Sequence, residues 1–204
     1  MRNNLFYMIN LKPIPIGVFE TDFNLNKKEK EKLLSLPYDI APSGAKISKD
    51  SFIFKNKNFK RMATLFTKTM AEYTEKILEI TNEFYITQSW ATINGSKTGH
   101  HSHTHKASIF SLVFYPESEG DNKIFFELGK SSIQEGFDFC YNTKKFNVYN
   151  SDTWNVSTKK GSIIIFPSYL RHYSTNEGKK IMIGANFFIK GKIGWKERKD
   201  YIEI

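Results

Sequence analysis

Four of the chain's five histidines fall between positions 100 and 105, in "HHSHTH", directly ahead of the apolar run "SIFSLVFY". Imidazole nitrogens are common transition-metal ligands, and in an extended chain residues two apart project from the same face. His103 and His105 can therefore aim both rings at one ion, with Cα atoms about 6.5 Å apart. Two such ligands rarely suffice for a transition metal. The one remaining histidine, His172 in "GSIIIFPSYLRHYS", is distant in sequence, so a third ligand from it requires closure by tertiary folding. A pair made of His101 and His103 keeps the same spacing and stays open as an alternative; otherwise His100 and His101 are assigned to the loop. The competing reading is a solvated, His-rich loop with no native ion.

His172 also has a telling neighbourhood. "GSIIIF" reads as a buried strand, "PS" as a turn or bulge, and "STNEG" as a hairpin connection before "KKIMIGANFF". A hairpin centred on Asn176 would set His172 opposite Lys180, with Cβ atoms about 5 Å apart. Period two from Lys180 then gives Met182, Gly184 and Asn186 on one face. In "SWATIN", Trp90, Thr92 and Asn94 share a face, and Ser111, Val113 and Tyr115 follow His105 in odd-numbered register. Together these sets would line a cavity with an apolar wall, a few hydroxyls and amides, and a bordering cation, which suits an acidic small molecule. Taken alone, Lys180 reads as a solvated lysine and Trp90 as a core or rim aromatic.

The elements that must position these residues change character along the chain. "NLNKKEKEKLLSL" (24–36) predicts a charged helix with Asn24 or Asn26 as N-cap, ended by Pro37. "FKRMATLFTKTMAEYTEKILEITN" (59–82) predicts the main helix. Met62, Leu65, Phe66, Met70, Tyr73, Ile77 and Ile80 form its sheet-covering stripe, and Glu72 and Lys76 an i,i+4 pair. From Phe84 onward come short segments: "FYITQSWATIN", "SIFSLVFY", "KIFFEL", "FDFC", "FNVY", "TWNVS", "GSIIIF" and "IMIGANFFI". Gly, Asn, Ser, Asp and Pro clusters separate them, the spacing of a sandwich or barrel. The 204 residues predict a single domain: a strand and helical layer over 1–83, a β core over 84–190 and a tail over 191–204. The fold class expected is mainly β, with the N-terminal helices packed on the outside.

Composition removes several other functions. A single cysteine, Cys140, excludes an intramolecular disulfide framework. "MRNNLFYMINLKPIPIG" does not resemble a signal peptide, and the apolar stretches are far short of a membrane span, so a soluble cytoplasmic protein is expected. The net charge of +9 comes from scattered lysines with no Arg-rich or RNP-like segment, which argues against specific nucleic-acid binding. There is no Ser-His-Asp arrangement, no carboxylate pair at catalytic spacing and no phosphate-binding glycine loop.

The residues that remain resemble a known family. "SWATING", "HTHKASIFSLVFYP", "GSIIIFPSYLRHYS" and "KKIMIGANFF" are similar to the hallmarks of the iron(II)- and 2-oxoglutarate-dependent oxygenases, in particular to the group common in phages and marine bacteria. "PIPIGVFETDFN" is similar to that group's opening segment, so the likeness covers almost the whole chain. The resemblance implies a double-stranded β-helix, a jelly-roll or cupin-like barrel with iron(II) and 2-oxoglutarate at its mouth, and O2 as the oxidant. For a phage-encoded chain the location would be the host cytoplasm. By position, His103, His105 and His172 would be the metal ligands, and Lys180 would stand where the family usually has an arginine for the distal carboxylate of 2-oxoglutarate. Asn94, Tyr115 and Asn186 would line the co-substrate pocket.

Two departures separate this chain from that pattern. The usual triad is two histidines and a carboxylate, whereas His105 takes the carboxylate's place and leaves three neutral ligands. Lysine for arginine keeps the charge and loses the bidentate fork. The implied activity is hydroxylation of an unidentified small molecule or protein side chain. The alternatives are a cupin-like three-histidine dioxygenase, isomerase or lyase that does without 2-oxoglutarate, and a non-catalytic jelly-roll binding or structural module. Stoichiometric metal with no response to 2-oxoglutarate would mark the first, and failure to retain any metal the second.

Overall fold

In the computed structural model the described residues are 13–130, 142–175 and 177–204. In chain order the strands and helices are β1 (Gly17–Glu20), α1 (Lys27–Leu34), β2 (Tyr38–Ile40), β3 (Lys46–Ser48), α2 (Lys60–Lys76), β4 (Glu83–Asn94), β5 (His100–His103), β6 (Phe110–Ser118), β7 (Lys123–Glu127), β8 (Thr153–Ser157), β9 (Ser162–Pro167), β10 (His172–Thr175), β11 (Lys180–Lys190), β12 (Lys192–Ile193) and β13 (Ile202–Glu203). Seven strands form a major sheet in the order β1-β9-β6-β11-β4-β3-β2, and four form a minor sheet in the order β5-β10-β7-β8. All strand pairs within both sheets are antiparallel.

Alternation along the central strands explains how the two layers are held. On β6, Leu112 and Phe114 face α2 while Val113 and Tyr115 face the minor sheet; on β9, Ile163 and Ile165 face the helix while Ile164 and Phe166 face inward. "SIIIF" is apolar throughout because both of its faces are covered. The inner cluster joins Val113, Tyr115, Ile164 and Phe166 to Ile124 and Phe126 of β7, so the sheets face one another across it. The outer cluster packs Met62, Phe66, Met70 and Tyr73 of α2 on Leu112, Phe114, Ile183, Ala185 and Phe187. This is the expected arrangement, a mainly β jelly roll with its helical layer outside.

Local chemistry sets the helix ends. α1 begins with a capping box: Glu29 N donates to Asn26 Oδ1 (2.9 Å) and Asn26 N donates to Glu29 Oε2 (2.8 Å). α2 is shorter than its apolar periodicity predicts. The N–H groups of Ile77 and Leu78 both donate to the Tyr73 carbonyl, and that of Ile80 to Thr74, closing the last turn. Glu79 takes φ +53 there, which turns the chain toward β4 and leaves Ile77 exposed rather than in the stripe.

The strand expectations need three corrections. "FNVY" is a turn, because Asn147 and Asn150 close on themselves: Tyr149 N donates to Asn147 Oδ1 and Asn147 N to Asn150 Oδ1, both at 2.8 Å. His100 and His101 belong to strand β5 rather than a loop. His172 and Lys180 are not hairpin partners, because β10 lies in the minor sheet and β11 in the major one. His172 pairs with His103 and Phe126, and Lys180 with Asn94 and Ser118. "FDFC" and Asn176 lie outside the described residues. Among the described residues no helix is long and apolar enough to cross a membrane.

Candidate active site

The three histidines singled out by spacing converge. His103 ends β5 directly beside His172, which begins β10, and their ring centroids lie 4.4 Å apart. His105 lies beyond β5 and is held by its own backbone: its N–H donates to the Ser168 carbonyl (3.0 Å) in the turn after β9. That brings its ring to 5.1 Å from both His103 and His172. One nitrogen from each ring lies within 4.8 Å of the other two, and no carboxylate joins the group among the described residues. His101 is exposed, with its ring 5.6 Å from that of His103, outside the cluster.

Hydrogen bonds fix which nitrogens face one another. His103 Nδ1 is 2.8 Å from the His101 carbonyl and His172 Nδ1 is 2.9 Å from the Leu170 carbonyl. A carbonyl only accepts, so each Nδ1 carries the proton and each Nε2 keeps its lone pair for a ligand. Burial holds these rings neutral. It depresses His105 to about 3 and His172 to about 4, aided by the neighbouring histidines, and lowers His103 as well. Three neutral imidazoles with free lone pairs fit a divalent transition metal, so the donor set suits iron(II).

A cavity of about 340 Å³ opens over this cluster, between the two sheets. Its inner wall is the even-numbered face of β11 and β4. Gly184 stands opposite Trp90, and a Cβ on Gly184 would lie 2.5 Å from the indole. Trp90 therefore fills the space over Gly184, and its ring reaches to 5.3 Å from that of His105. Val113 and Tyr115 of β6 line the same cavity, and Ile124 and Met182 complete the apolar wall.

The two ends of this wall differ in chemistry. At one end, Lys180 is 2% exposed, its Nζ has no hydrogen-bond partner among the described residues, and it sits 5.7 Å from the Tyr115 ring centroid. Desolvation pushes its ammonium down to about 8. Its strand partner Asn94 donates to the Thr98 carbonyl at 3.4 Å, while Asn94 Oδ1 and the nearby Thr92 Oγ1 are buried without partners. At the other end, Asn186 is fully engaged: Oδ1 accepts from Ser111 Oγ (2.9 Å) and Nδ2 donates to Gln88 Oε1 (3.0 Å). Asn186 lies about 20 Å along the strand from Lys180; it lines the same cavity as Tyr115, while Lys180 and Asn94 line another.

That second end holds a residue the sequence reading missed. Gln88 lines the cavity, and because its Oε1 accepts from Asn186 its Nε2 is left outside that bond. The signal was present, since Gln88 precedes Trp90, Thr92 and Asn94 in period two. His100, left to the loop by sequence, also lines the cavity.

The fold and site together are a mainly β jelly roll with three histidines clustered between its sheets. Residues 88–184, just under half the chain and including all three clustered histidines and Lys180, match the family described as "Putative 2OG-Fe(II) oxygenase". No curated protein sequence matches the chain. Among solved structures it is similar to a Pseudomonas putida prolyl-4-hydroxylase, with 10% identity, TM-score 0.56 and coverage of 87% of this chain and 94% of that one. It is also similar to HygX from Streptomyces hygroscopicus, determined with nickel, 2-oxoglutarate and hygromycin B (11% identity, TM-score 0.55, coverage 85% and 82%). A third is an oxidoreductase of the 2OG-Fe(II) oxygenase family from Burkholderia pseudomallei (10% identity, TM-score 0.52, coverage 78% and 74%). At such identities the likeness establishes the fold.

Proposed function

We propose that the protein is an iron(II)- and 2-oxoglutarate-dependent oxygenase in which His103, His105 and His172 bind the metal and Lys180 anchors the far end of the co-substrate. The observation that carries this reading is the pairing of three neutral imidazoles with a buried cation that has no hydrogen-bond partner among the described residues. A buried ammonium with no partner is costly, and a dicarboxylate reaching past Tyr115 would satisfy it. Iron(II) with 2-oxoglutarate supplies oxidising power toward an unactivated C–H bond, using O2.

The chain's own residues do the rest. The Leu170 and His101 carbonyls hold His172 and His103 in the tautomer that presents Nε2. Trp90 covers His105 and, with Val113, Ile124 and Met182, keeps water from the inner wall. Gln88 offers an amide N–H to a substrate on the side away from Lys180. A substrate with a carbonyl, carboxylate or amide oxygen would meet it, whether small molecule or protein side chain.

Anaerobic addition of iron(II) and then 2-oxoglutarate should give a visible absorption band that needs both and is lost in His172→Ala. The all-imidazole donor set favours a second reading, a three-histidine metalloenzyme that does without 2-oxoglutarate. Stoichiometric metal bound through His172 with no band, and no 2-oxoglutarate turnover, would establish it in place of the first.

A further inference from the structure

We infer that His100 is a second anchoring residue for the distal carboxylate of the co-substrate, completing with Lys180 a two-donor site that replaces an arginine fork. The inference rests on the reading of the site as a 2-oxoglutarate site, and it concerns a residue outside the metal-binding cluster.

Three observations carry it. First, His100 Nε2 is buried without a hydrogen-bond partner among the described residues, as is Lys180 Nζ. An orphaned buried donor is rare in a native fold and points to something missing from its surroundings. Secondly, both orphans flank the connection from β4 to β5, Lys180 as the strand partner of Asn94 and His100 as the first residue of β5. That connection folds back: Asn94 donates to the Thr98 carbonyl (3.4 Å), and His100 N donates to Ser174 Oγ (3.4 Å). Gly99 allows this approach, since a Cβ there would meet the Ser174 carbonyl at 2.4 Å. Thirdly, the open cavity reaches His100, Tyr115 and Met182, and Lys180 Nζ lies 5.7 Å from the centroid of the Tyr115 ring, while Lys180 itself lines another cavity with Asn94 and Thr98. A ligand running from the three-histidine cluster to Tyr115 therefore shares its cavity with His100.

The chemistry is complementary. Lys180 brings a charge on a flexible stem but no planar pair of donors, so alone it fixes a carboxylate poorly in orientation. An imidazole N–H held by β5 supplies one directed hydrogen bond to the second carboxylate oxygen. His100 then discriminates co-substrates that carry a distal carboxylate from those that do not.

The test compares 2-oxoglutarate with 2-oxobutyrate, which keeps the 2-oxo acid end and lacks the distal carboxylate, binding to the Ni(II)-loaded protein by calorimetry. His100→Phe keeps a ring of similar size without a donor, and His100→Gln keeps a donor. The expected result is that H100F weakens 2-oxoglutarate about tenfold or more, leaves 2-oxobutyrate within about twofold, and that H100Q recovers most of the loss. An unchanged ratio of the two affinities in H100F overturns the inference, as does equal weakening of both ligands. If H100F does not fold, His100→Leu, which also lacks a donor, decides in its place: a ratio reduced about tenfold supports the role, and a wild-type ratio overturns it. Wild-type protein that binds both acids equally would instead overturn the 2-oxoglutarate reading itself, whatever the variants do.

Discussion

The two faces of the major sheet are built from the same strands and serve opposite ends. On β11, Ile181, Ile183, Ala185 and Phe187 bury against α2, while Lys180, Met182, Gly184 and Asn186 alternate with them toward the minor sheet. The helix-side face is an unbroken apolar cluster of aromatic edge contacts, such as Phe66 with Phe54 and Phe114 at centroid distances of 4.9 and 6.4 Å. The inner face leaves Lys180, Thr92 and Asn94, and His100 on the minor sheet across from it, with buried polar atoms that have no hydrogen-bond partner among the described residues. One face supplies the stability that lets the other remain poised for ligands.

Crossed substitutions break the comparison most strongly. His172→Ala should abolish metal retention and 2-oxoglutarate turnover while leaving the denaturation midpoint of the metal-free protein near or above wild type. Phe66→Ala, which removes a fully buried ring from the helix-side cluster, should cost about 3–5 kcal/mol by denaturant unfolding. Its metal affinity, measured where it remains folded, should stay within a few-fold of wild type. A Phe66→Ala protein that is stable yet cannot hold metal would show that the two faces are not separable.

Acid should act on the histidines between the two sheets. His100, His105 and His172 are depressed to between about 3 and 4 in the fold, so between there and the ordinary histidine value near 6.5 the unfolded chain binds more protons. Metal-free stability should therefore fall as pH drops from about 6.5 toward 4, and His172→Ala should flatten that slope. An unaltered slope in the variant would place the acid sensitivity elsewhere.

The sequence made the separation of faces partly legible. Period-two reading of "SWATIN", "SLVFY" and "IMIGANFF" found which residues share a side, and the "HTH" and distal-His spacing found the cluster, because alternation and ring chemistry are local properties. What it missed is long-range. The assumed hairpin partner of His172 was Lys180, but the chain crosses from one sheet to the other between them, and local turn chemistry cannot report a sheet change. His100 was left in a loop because its strand exists only by pairing with β10. "FNVY" was lost to two asparagines that close a turn more cheaply than a distant strand could be found.

Lys180 sharpens the comparison because function and stability should move in opposite directions. Burial lowers its ammonium from 10.5 to about 8, a cost of about 3 kcal/mol at pH 7, where the fold holds it charged. The unfolded chain binds more protons between pH 8 and 10.5, so that cost fades only as pH rises through this window. Lys180→Met, of similar length, should raise metal-free stability by up to about 3 kcal/mol. The same change should weaken 2-oxoglutarate at least about tenfold. A destabilised Met variant would mean the ammonium already has its partner within the fold.

Gly184→Ala is the smallest change and tests the contact between the stabilising strand and the metal cluster. Gly184 has an ordinary extended backbone, so alanine adds no conformational strain; its only conflict is the 2.5 Å approach of the new Cβ to the Trp90 indole. The indole must move, and it now lies 5.3 Å from His105, the one clustered histidine whose ring has no hydrogen bond to a carbonyl. Overpacking of this kind costs about 1–3 kcal/mol, and the loosened His105 should weaken metal a few-fold while His103 and His172, braced by their carbonyls, still bind. Quenching of tryptophan fluorescence by a paramagnetic ion such as Ni(II) reads the same displacement directly and should shrink in the variant. Unchanged quenching with unchanged metal affinity would show that Trp90 fills space beside the cluster without bracing it.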